Sequence, residues 1–268
     1  MNINSFICRK VRNVETYDPE TDIIQSKYPS VEEGKITMSC EGTETTDVDG
    51  ATIETIYKAH KATFEGNLST PSLDLLSAQM GSEKEIATDS LPINVPFSHT
   101  FKIENNKVVL IEGYEAKDNI FKNVVLAQGR DQFSTRFELG TLDESGIVEE
   151  GKYAYDSVTR TITLPEGTTG DLFVNFLMSS KEAIKLAKKS DGIPKYQKLI
   201  INAYFSDPCE SNKLYSGVIV ADRAQIDPSS IEIALQSDTK HGFKYNMTKD
   251  YCSEDGNLFE VYVYRDAQ

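Results

Sequence analysis

Residues 35–65 of this chain read KITMSCEGTETTDVDGATIETIYKAHKATFE. The first part alternates, with Ile36, Met38 and Cys40 on one side, and the second part, from Ala51 to Phe64, is rich in Thr. Asp49-Gly50 between them is a dipeptide preferred in the tight turns that join antiparallel strands. The segment therefore predicts one extended β-hairpin.

Short strand patterns continue along most of the remaining sequence. They are bounded by turn residues such as Pro165-Glu166-Gly167, Asp207-Pro208 and Asp255-Gly256, and no regular β-α-β alternation is present. Many short strands with few crossovers predict a mainly β protein, an antiparallel β-sandwich or barrel with a long hairpin and one or two short helices. The strand patterns lie at residues 107–112, 161–164, 172–177, 199–205, 217–221, 231–235 and 258–264.

Two segments are predicted to be helical. In the first, Thr70 can cap the helix, Pro71 suits its first position and Gly81 can end it. This helix of residues 71–80 has an apolar stripe expected to pack on the core: Leu73, Leu75, Leu76 and Met80. The second is expected to begin after Ser180 and to run through KEAIKLAKKS to Gly192, with the inward-facing residues Ala183, Ile184 and Ala187.

The chain of 268 residues is long enough for one large β domain or two smaller ones. Residues 1–34 are polar and carry turn signals at Asp18-Pro19 and Pro29, so they are predicted to form a polar N-terminal arm. Residues 35–268 are predicted to form a single elaborated β domain, with room for a peripheral subdomain after about residue 113.

The charge balance bears on location and partners. The chain has 28 Lys and Arg against 42 Asp and Glu, a formal net charge of −14, which disfavours attraction to nucleic acid or anionic membranes. No run approaches the roughly 18 apolar residues of a membrane span, and the first residues lack the apolar core of a signal peptide. We expect a protein made and kept in a cytosol, without sequence-specific nucleic-acid binding and without membrane association.

Cysteine spacing excludes a CxxC redox or zinc pair, because Cys8, Cys40, Cys209 and Cys252 are far apart. They are expected to be reduced, small core residues. A disulfide between Cys209 and Cys252 is the alternative for an exported particle.

Motifs for catalysis or metal binding are weak throughout. Asp47-Val48-Asp49-Gly50 resembles part of a calcium loop, but Thr45 and Ile56 stand where acidic ligands should be, so a hairpin turn is the better interpretation. Ser237-Asp238-Thr239-Lys240 fits Ser-x-x-Lys without its companion motifs. The histidines are far apart: His60, His99 and His241. We expect no catalytic residue, no cofactor and no metal.

Two charged segments are more informative. Five acids without a base lie between residues 41 and 54, a local charge of −5: Glu41, Glu44, Asp47, Asp49 and Glu54. Between residues 181 and 198, six lysines against Glu182 and Asp191 give +4: Lys181, Lys185, Lys188, Lys189, Lys195 and Lys198. Each segment is either a solvated face or one half of a complementary contact between copies.

The order of these elements resembles a known family. An acidic hairpin (EGTETTDVDGATIETIYKAHKATFEG), the helix STPSLDLLSAQMG and the later segments TITLPEG and DYCSEDGNLFEVYVY resemble virion structural proteins of large tailed bacteriophages, above all tail tube proteins. The resemblance is a pattern over residues 35–265. Other virion components, such as a capsid decoration or baseplate protein, remain alternatives. So does a β-sandwich carbohydrate-binding module, although the absence of Trp counts against it.

The resemblance implies a structural subunit that self-assembles into homo-hexameric rings. Stacked rings would form a tube whose hairpins join into a continuous β-barrel around a channel for DNA and the tape-measure protein. Sheath and tape-measure proteins would be its partners, and the virion, assembled in the bacterial cytoplasm, its location. The five hairpin acids are then candidates to face the channel, since carboxylates repel phosphates; an exposed loop is the alternative.

Overall fold

The computed structural model describes residues 6–114, 116–129, 132–208, 213–229, 231, 240–251 and 256–265. Over these residues the chain forms eighteen strands and one helix, so the predicted mainly β fold is confirmed. The bounds are β1 Ile7–Tyr17, β2 Ile24–Pro29, β3 Val31–Thr46, β4 Thr52–Leu68, α1 Leu73–Met80, β5 Glu85–Ile86, β6 Ile93–Lys102, β7 Lys107–Val109, β8 Ala116–Gln128, β9 Gln132–Arg136, β10 Glu138–Leu139, β11 Lys152–Asp156, β12 Thr161–Thr163, β13 Asp171–Ser180, β14 Ile184–Lys185, β15 Tyr196–Ser206, β16 Leu214–Ile226, β17 His241–Met247 and β18 Glu260–Tyr264.

The chain divides into two compact units. Unit 1 comprises residues 1–84 and 186–268, and unit 2 comprises residues 85–185. The sequence predicted one elaborated β domain with room for a peripheral subdomain after about residue 113, and the two units divide at residues 84/85 and 185/186. Gly113 has a φ of 85° and lies in the turn between β7 and β8, which both belong to unit 2.

Unit 1 is built on one eight-stranded sheet. Its strand order is β2-β1-β15-β16-β17-β4-β3, and β18 also pairs with β16. Strict alternation in β15 places Leu199, Ile201 and Ala203 in the core, while the residues between them are half-buried. Leu199 and Ile201 belong to the main core around Tyr245, Phe64 and Ile226, whereas Ala203 belongs to a smaller cluster with Phe205 and Tyr215.

The predicted N-terminal arm is wrong for the described residues 6–34. β1 pairs along its length with β15, and β2 pairs with β1. The polar composition is misleading because a polar residue of β1 is buried: Asn13 lies in the interior, and its Oδ1 accepts from Asn202 Nδ2 at 2.7 Å. A buried polar side chain with a hydrogen-bond partner is compatible with a core strand.

Helix α1 confirms the first predicted helix with shifted caps. Ser72, and not Thr70, is the N-cap, its hydroxyl accepting from the Leu75 amide at 3.3 Å. Gly81 ends the helix in the left-handed conformation, where a Cβ would lie 2.4 Å from the backbone of Ile193. Of the predicted stripe, only Leu75 is fully buried; Leu76 and Met80 are half-buried and Leu73 is exposed.

The second predicted helix is wrong. Residues 181–192 are extended or turned, and Ile184–Lys185 forms β14, which pairs with β5. The Ala183 carbonyl accepts from the Ala87 amide at 2.8 Å, so its backbone bonds reach across the chain. A short helix with three apolar residues has little intrinsic stability, and this pairing replaces it.

Unit 2 is a β-sandwich. One sheet has the order β10-β11-β12-β7 and the other β6-β13-β8-β9. Ile162 and Val108 from the first sheet share a core with Leu172, Val174 and Phe176 from the second. Only the β10–β11 pairing is parallel among the described strands.

The strand predictions at residues 107–112, 161–164, 172–177, 199–205, 217–221 and 258–264 all overlap with strands, although β7 ends at Val109 and β18 begins only at Glu260. The pattern at 231–235 lies almost entirely outside the described residues, as do Cys209 and Cys252. Cys8 and Cys40 are free as expected, but both are exposed, so their prediction as core residues is wrong.

The burial within α1 predicts unequal roles for two of its leucines. Leu75→Ala should lower the free energy of unfolding by about 2–5 kcal/mol, because it leaves a cavity in a closed core. Leu73→Ala is the matched control on the exposed side and should change it by less than about 0.5 kcal/mol. Urea unfolding followed by circular dichroism measures both, and equal losses would contradict this placement of the helix.

Candidate functional site

The β3–β4 hairpin is the most unusual surface of the described chain. Its inner part belongs to the core of unit 1, with Ala62, Phe64 and Leu68 buried and residues 62–68 paired with β17. Its outer part, residues 37–61, is exposed along both strands except for the half-buried Thr55. We call residues 37–61 the distal hairpin.

A β-bulge marks the inner end of the distal hairpin. Ser39 pairs with Lys61 and Glu41 with Lys58, so Ala59 and His60 stand opposite Cys40 alone. Ala59 has a φ of 52°, a left-handed conformation that residues with a Cβ rarely adopt. Bulges increase twist and redirect a strand, so this one sets the direction in which the distal hairpin leaves the sheet.

The tip is a turn built by Asp47. Its Oδ1 accepts from the amides of Asp49 at 3.0 Å and Ala51 at 2.8 Å, and Gly50 has a φ of 84°. A carboxylate that accepts from backbone amides in this way stabilises a turn. The sequence interpretation as a hairpin turn is confirmed.

The two faces of the distal hairpin differ in chemistry. The pairs Glu41–Lys58, Thr43–Ile56 and Thr45–Glu54 lie on one face, which we call the carboxylate face. Alternation places Gly42, Glu44, Thr55 and Tyr57 on the other, which we call the tyrosine face. Gly42 leaves room there, because a Cβ would lie 3.4 Å from Tyr57 Cε1.

The five predicted channel-facing acids are therefore not brought to one surface. Glu41 and Glu54 share the carboxylate face, Glu44 lies on the tyrosine face, and Asp47 and Asp49 are in the tip. All five are exposed. Lys61 forms an ion pair with Glu41 at 2.9 Å. The two lysines of the distal hairpin, Lys58 and Lys61, offset two of the five acids, so the net charge of residues 37–61 is −3.

Most of the predicted basic segment is occupied by contacts within the chain. Lys181 pairs with Asp89 at 3.3 Å and Lys185 with Glu85 at 3.0 Å. The Lys188 ammonium donates to the carbonyls of Met80 and Gly192. The remaining pairs are Lys195–Glu83 at 2.9 Å and Lys198–Asp22 at 3.0 Å. In the described part of the chain, only Lys189 of these six has no such partner.

A second basic segment, missed from the sequence, lies in β1. Arg9, Lys10 and Arg12 are exposed, and no acid occurs in residues 6–14. Lys10 and Arg12 have no ion-pair partner among the described residues, and Arg9 donates to Ser206 Oγ at 2.7 Å. Three bases in four residues can be seen in the sequence of this acidic chain. They were not predicted as a site because this part of the chain was expected to be a polar arm and not a strand.

A buried histidine joins α1 to β17 at the inner end of the hairpin. The Ser72 amide donates to His241 Nδ1 at 3.3 Å, so Nε2 carries the proton and donates to Gln79 Oε1 at 2.8 Å. Gln79 Nε2 donates in turn to the Gly242 carbonyl at 3.0 Å. Burial lowers the pKa of His241, because desolvation disfavours its charged form.

The other residues considered for catalysis or metal binding do not lie close together. His60 lies in the bulge of the distal hairpin, and His99 is exposed in β6 between Phe97 and Phe101. Nowhere in the described residues do three His, Cys, Asp or Glu side chains approach each other as metal ligands would. Ser237, Asp238 and Thr239 of the Ser-x-x-Lys match lie outside the described residues.

Two open cavities lie in the surface of the described chain. One, of about 510 Å³ in unit 1, is bordered by the ion pairs Lys240–Glu33 and Lys244–Glu65. The other, of about 450 Å³ in unit 2, is lined mainly by apolar side chains, including Ile120, Phe121 and Leu139. Neither contains one of the residues predicted as functional.

No protein-family model matches this chain, and no curated protein sequence does either. None of the described residues form a helix long and apolar enough to cross a membrane. The function therefore has to be inferred from the surfaces of the molecule itself.

The His241 contacts predict a pH dependence of stability. The unfolded chain has the ordinary His pKa of about 6.5, and the folded value is lower. The stability that neutral His241 contributes is therefore fully present above the unfolded pKa and is lost as the pH falls through the folded pKa. When the pH is lowered from neutral to mildly acidic, the free energy of unfolding of the His241→Gln variant should fall less than that of the wild type. Urea unfolding of both proteins tests this; parallel curves would contradict it.

Proposed function

We propose that this chain is a structural subunit that assembles through its distal hairpin into rings, stacked as the tail tube of a tailed bacteriophage. The main support is the exposure of residues 37–61 on both faces. Within the described residues no strand pairs with the outer edge of β3, and none pairs with β4 before Ala62. A two-stranded ribbon alone is marginally stable in water, so a neighbouring copy is the natural source of its missing contacts.

Apolar exposure supports the same role. The distal hairpin presents five large apolar side chains to solvent: Met38, Val48, Ile53, Ile56 and Tyr57. Tyr57 is 63% exposed and Ile53 68% exposed. Clustered exposure of this kind is typical of contact surfaces, whereas single exposed apolar residues need no explanation.

The two free edges favour a ring over a simple pair. The outer edge of β3 and the distal edge of β4 lie on opposite sides of the ribbon. If β3 of one copy pairs with β4 of the next, the contact joins two different surfaces, and such a contact repeats until it closes into a ring or grows as a filament. A closed ring of hairpins is a β-barrel with no remaining edge. Six copies is the number that the family resemblance implies.

The carboxylate face is the better candidate for the channel wall. It carries Glu41 and Glu54 with the hydroxyls of Thr43 and Thr45. Lys58 and Ile56 lie on the same face, so its acids outnumber its bases by two to one and passing phosphates meet a net negative charge. Glu44 faces the other way. The channel would then conduct DNA and the tape-measure protein without holding either, with sheath proteins on the outside of the tube in the virion.

Removal of the distal hairpin tests the assembly role. Replacing residues 41–58 by Asn-Gly should leave a folded monomer at every concentration, because these residues are exposed, apart from the half-buried Thr55, and their strand pairing is between β3 and β4. A matched control shortens another exposed turn, residues 144–146 of unit 2, to Asn-Gly and should assemble normally. Sedimentation velocity and electron microscopy measure assembly, and circular dichroism checks folding.

Wild-type protein that stays monomeric, or normal assembly of the shortened variant, would contradict the proposal. Single rings that never stack would instead favour a baseplate or capsid decoration protein.

Charge reversal on the carboxylate face tests the channel. Tubes of a Glu41→Lys, Glu54→Lys variant should retain double-stranded DNA in a sedimentation assay at low salt, whereas wild-type tubes should not, because lysines bind phosphates by releasing counterions. The charge-matched control changes two exposed acids outside the hairpin, Glu20→Lys and Glu144→Lys. Equal DNA retention by the two variants would show that the carboxylate face does not line the channel.

A further inference from the structure

The basic segment of β1 presents two bases, Lys10 and Arg12, that have no ion-pair partner among the described residues. Its other members are partly engaged, because the Phe6 ring meets the Phe205 ring edge-on at 4.9 Å and Arg9 donates to Ser206. The exposed residues Phe6, Ile7, Lys10 and Arg12 lie on or beside it. β2 pairs only with residues 13–17 of β1, so in the described chain residues 7–12 have no ladder partner on the side away from β15. An edge that is both basic and apolar therefore faces solvent.

Two β-bulges place the arginines of this segment. Cys8 pairs with Phe205 and Lys10 with Tyr204, so Arg9 is an extra residue. Val11 pairs with Ala203 and Asn13 with Asn202, so Arg12 is an extra residue as well. A bulge redirects the side chain of its extra residue out of the regular alternation. Because β1 contains two such bulges, the directions of the Arg9 and Arg12 side chains point to a role other than pairing with β15.

We infer that this basic segment, residues 6–12, binds the tyrosine face of the distal hairpin of a neighbouring copy. The inference rests on the proposed function and names the surface that receives the hairpin. The tyrosine face offers what the segment lacks: the carboxylate of Glu44 for Lys10 or Arg12, and exposed apolar area for Phe6 and Ile7. Ile53, four residues before Tyr57 in the same strand, is exposed as well.

Charge complementarity favours this pair of surfaces over the lysines of residues 181–198. Those lysines are mostly held by acids or carbonyls of their own chain. Lys10 and Arg12 are free to meet Glu44 and, at the tip, Asp49, whose carboxylate does not support the turn as that of Asp47 does. An arginine can also stack on the Tyr57 ring, as Arg223 does on Tyr196 within this chain at 4.0 Å.

The hairpin is long enough to reach another copy. From Ser39 to Asp49 it extends by roughly 30 Å at about 3.3 Å per residue. The basic segment, by contrast, lies near the inner end of the same hairpin, because Val11 approaches Gly34. The extended hairpin thus carries Glu44 and Tyr57 away from its own β1 and toward that of a neighbour. A contact between these two different surfaces repeats around a ring.

Nucleic acid and anionic lipid are the other classes of partner that a basic segment could bind. The net charge of −14 opposes both at long range. A second copy of this chain carries acids and apolar groups together in one exposed ribbon, and it matches both properties of the segment.

A charge-swap experiment tests the contact. Lys10→Glu with Arg12→Glu, and separately Glu44→Lys with Asp49→Lys, should each raise the concentration needed for assembly about tenfold or more, because like charges then face each other. The combined four-residue variant should recover assembly to within about threefold of the wild type, since the charges are complementary again. Sedimentation velocity at low salt measures assembly, and circular dichroism confirms that each variant is folded.

A matched control reverses two exposed lysines elsewhere, Lys102→Glu and Lys117→Glu, and should assemble as the wild type does. Normal assembly of the β1 variant, or a combined variant no better than the worse parent, would overturn the inference. If removal of the hairpin abolishes assembly while the β1 variant assembles normally, the proposed function stands and only this inference fails. If the wild-type protein never assembles, both the proposed function and this inference are wrong.

Crosslinking gives an independent readout of position. Cys8 lies in the basic segment and Cys40 in the hairpin, and both are exposed. In a Cys209→Ser, Cys252→Ser variant, a flexible bismaleimide should join Cys8 of one copy to Cys40 of another in assembled protein only. Exclusive Cys8–Cys8 or Cys40–Cys40 products would overturn the inference. Binding of duplex DNA or anionic vesicles that depends on Lys10 and Arg12, with assembly unaffected by their reversal, would do the same.

Discussion

The hydrogen-bond ladder between β4 and β17 ends where Met247 meets Ala62, and this ending shapes the rest of the surface. Met247 also pairs with Ala224 of β16, and the next residue, Thr248, donates its amide to the Arg223 carbonyl. The chain is therefore drawn back toward β16 and cannot follow β4 further. Beyond this point β4 and β3 have only each other, and the bulge at Ala59 follows within three residues. The projecting ribbon is a direct result of where one short strand stops.

Local signals in the sequence were sufficient for the hairpin and for α1. Asp49-Gly50 fixes a turn through neighbouring atoms, and Gly81 ends a helix because of its own backbone conformation. The failures involve partners far away in the sequence. β1 holds its buried Asn13 through Asn202, and residues 184–185 are strand because Glu85 and Ile86 pair with them. Neither partner can be identified from the composition of the segment itself.

The candidate site shows the same contrast between features that local sequence predicts and features that depend on distant partners. The sequence located five acids in the hairpin, but their distribution over two faces depends on register, and a one-residue shift exchanges the faces. The lysines of residues 181–198 were equally visible, yet most of them lie against acids or carbonyls of the same chain. Exposed ion pairs of this kind add little stability, but they remove those lysines from the charge available to a partner. In β1, by contrast, Lys10 and Arg12 have no ion-pair partner among the described residues, and two β-bulges that the local sequence does not predict set the positions of Arg9 and Arg12.

The division of the chain into two units has a consequence for the order of events during synthesis. Unit 2 is continuous in sequence, so all its strand partners exist once residue 185 has left the ribosome. β1 must wait for β15, whose Ser206 pairs with Ile7, and β4 must wait still longer for β17. Pairings so distant in sequence form late, since the loop between them has to close first. The inner part of the hairpin is therefore anchored only near the end of translation, and until then the distal hairpin has no sheet to hold it in place.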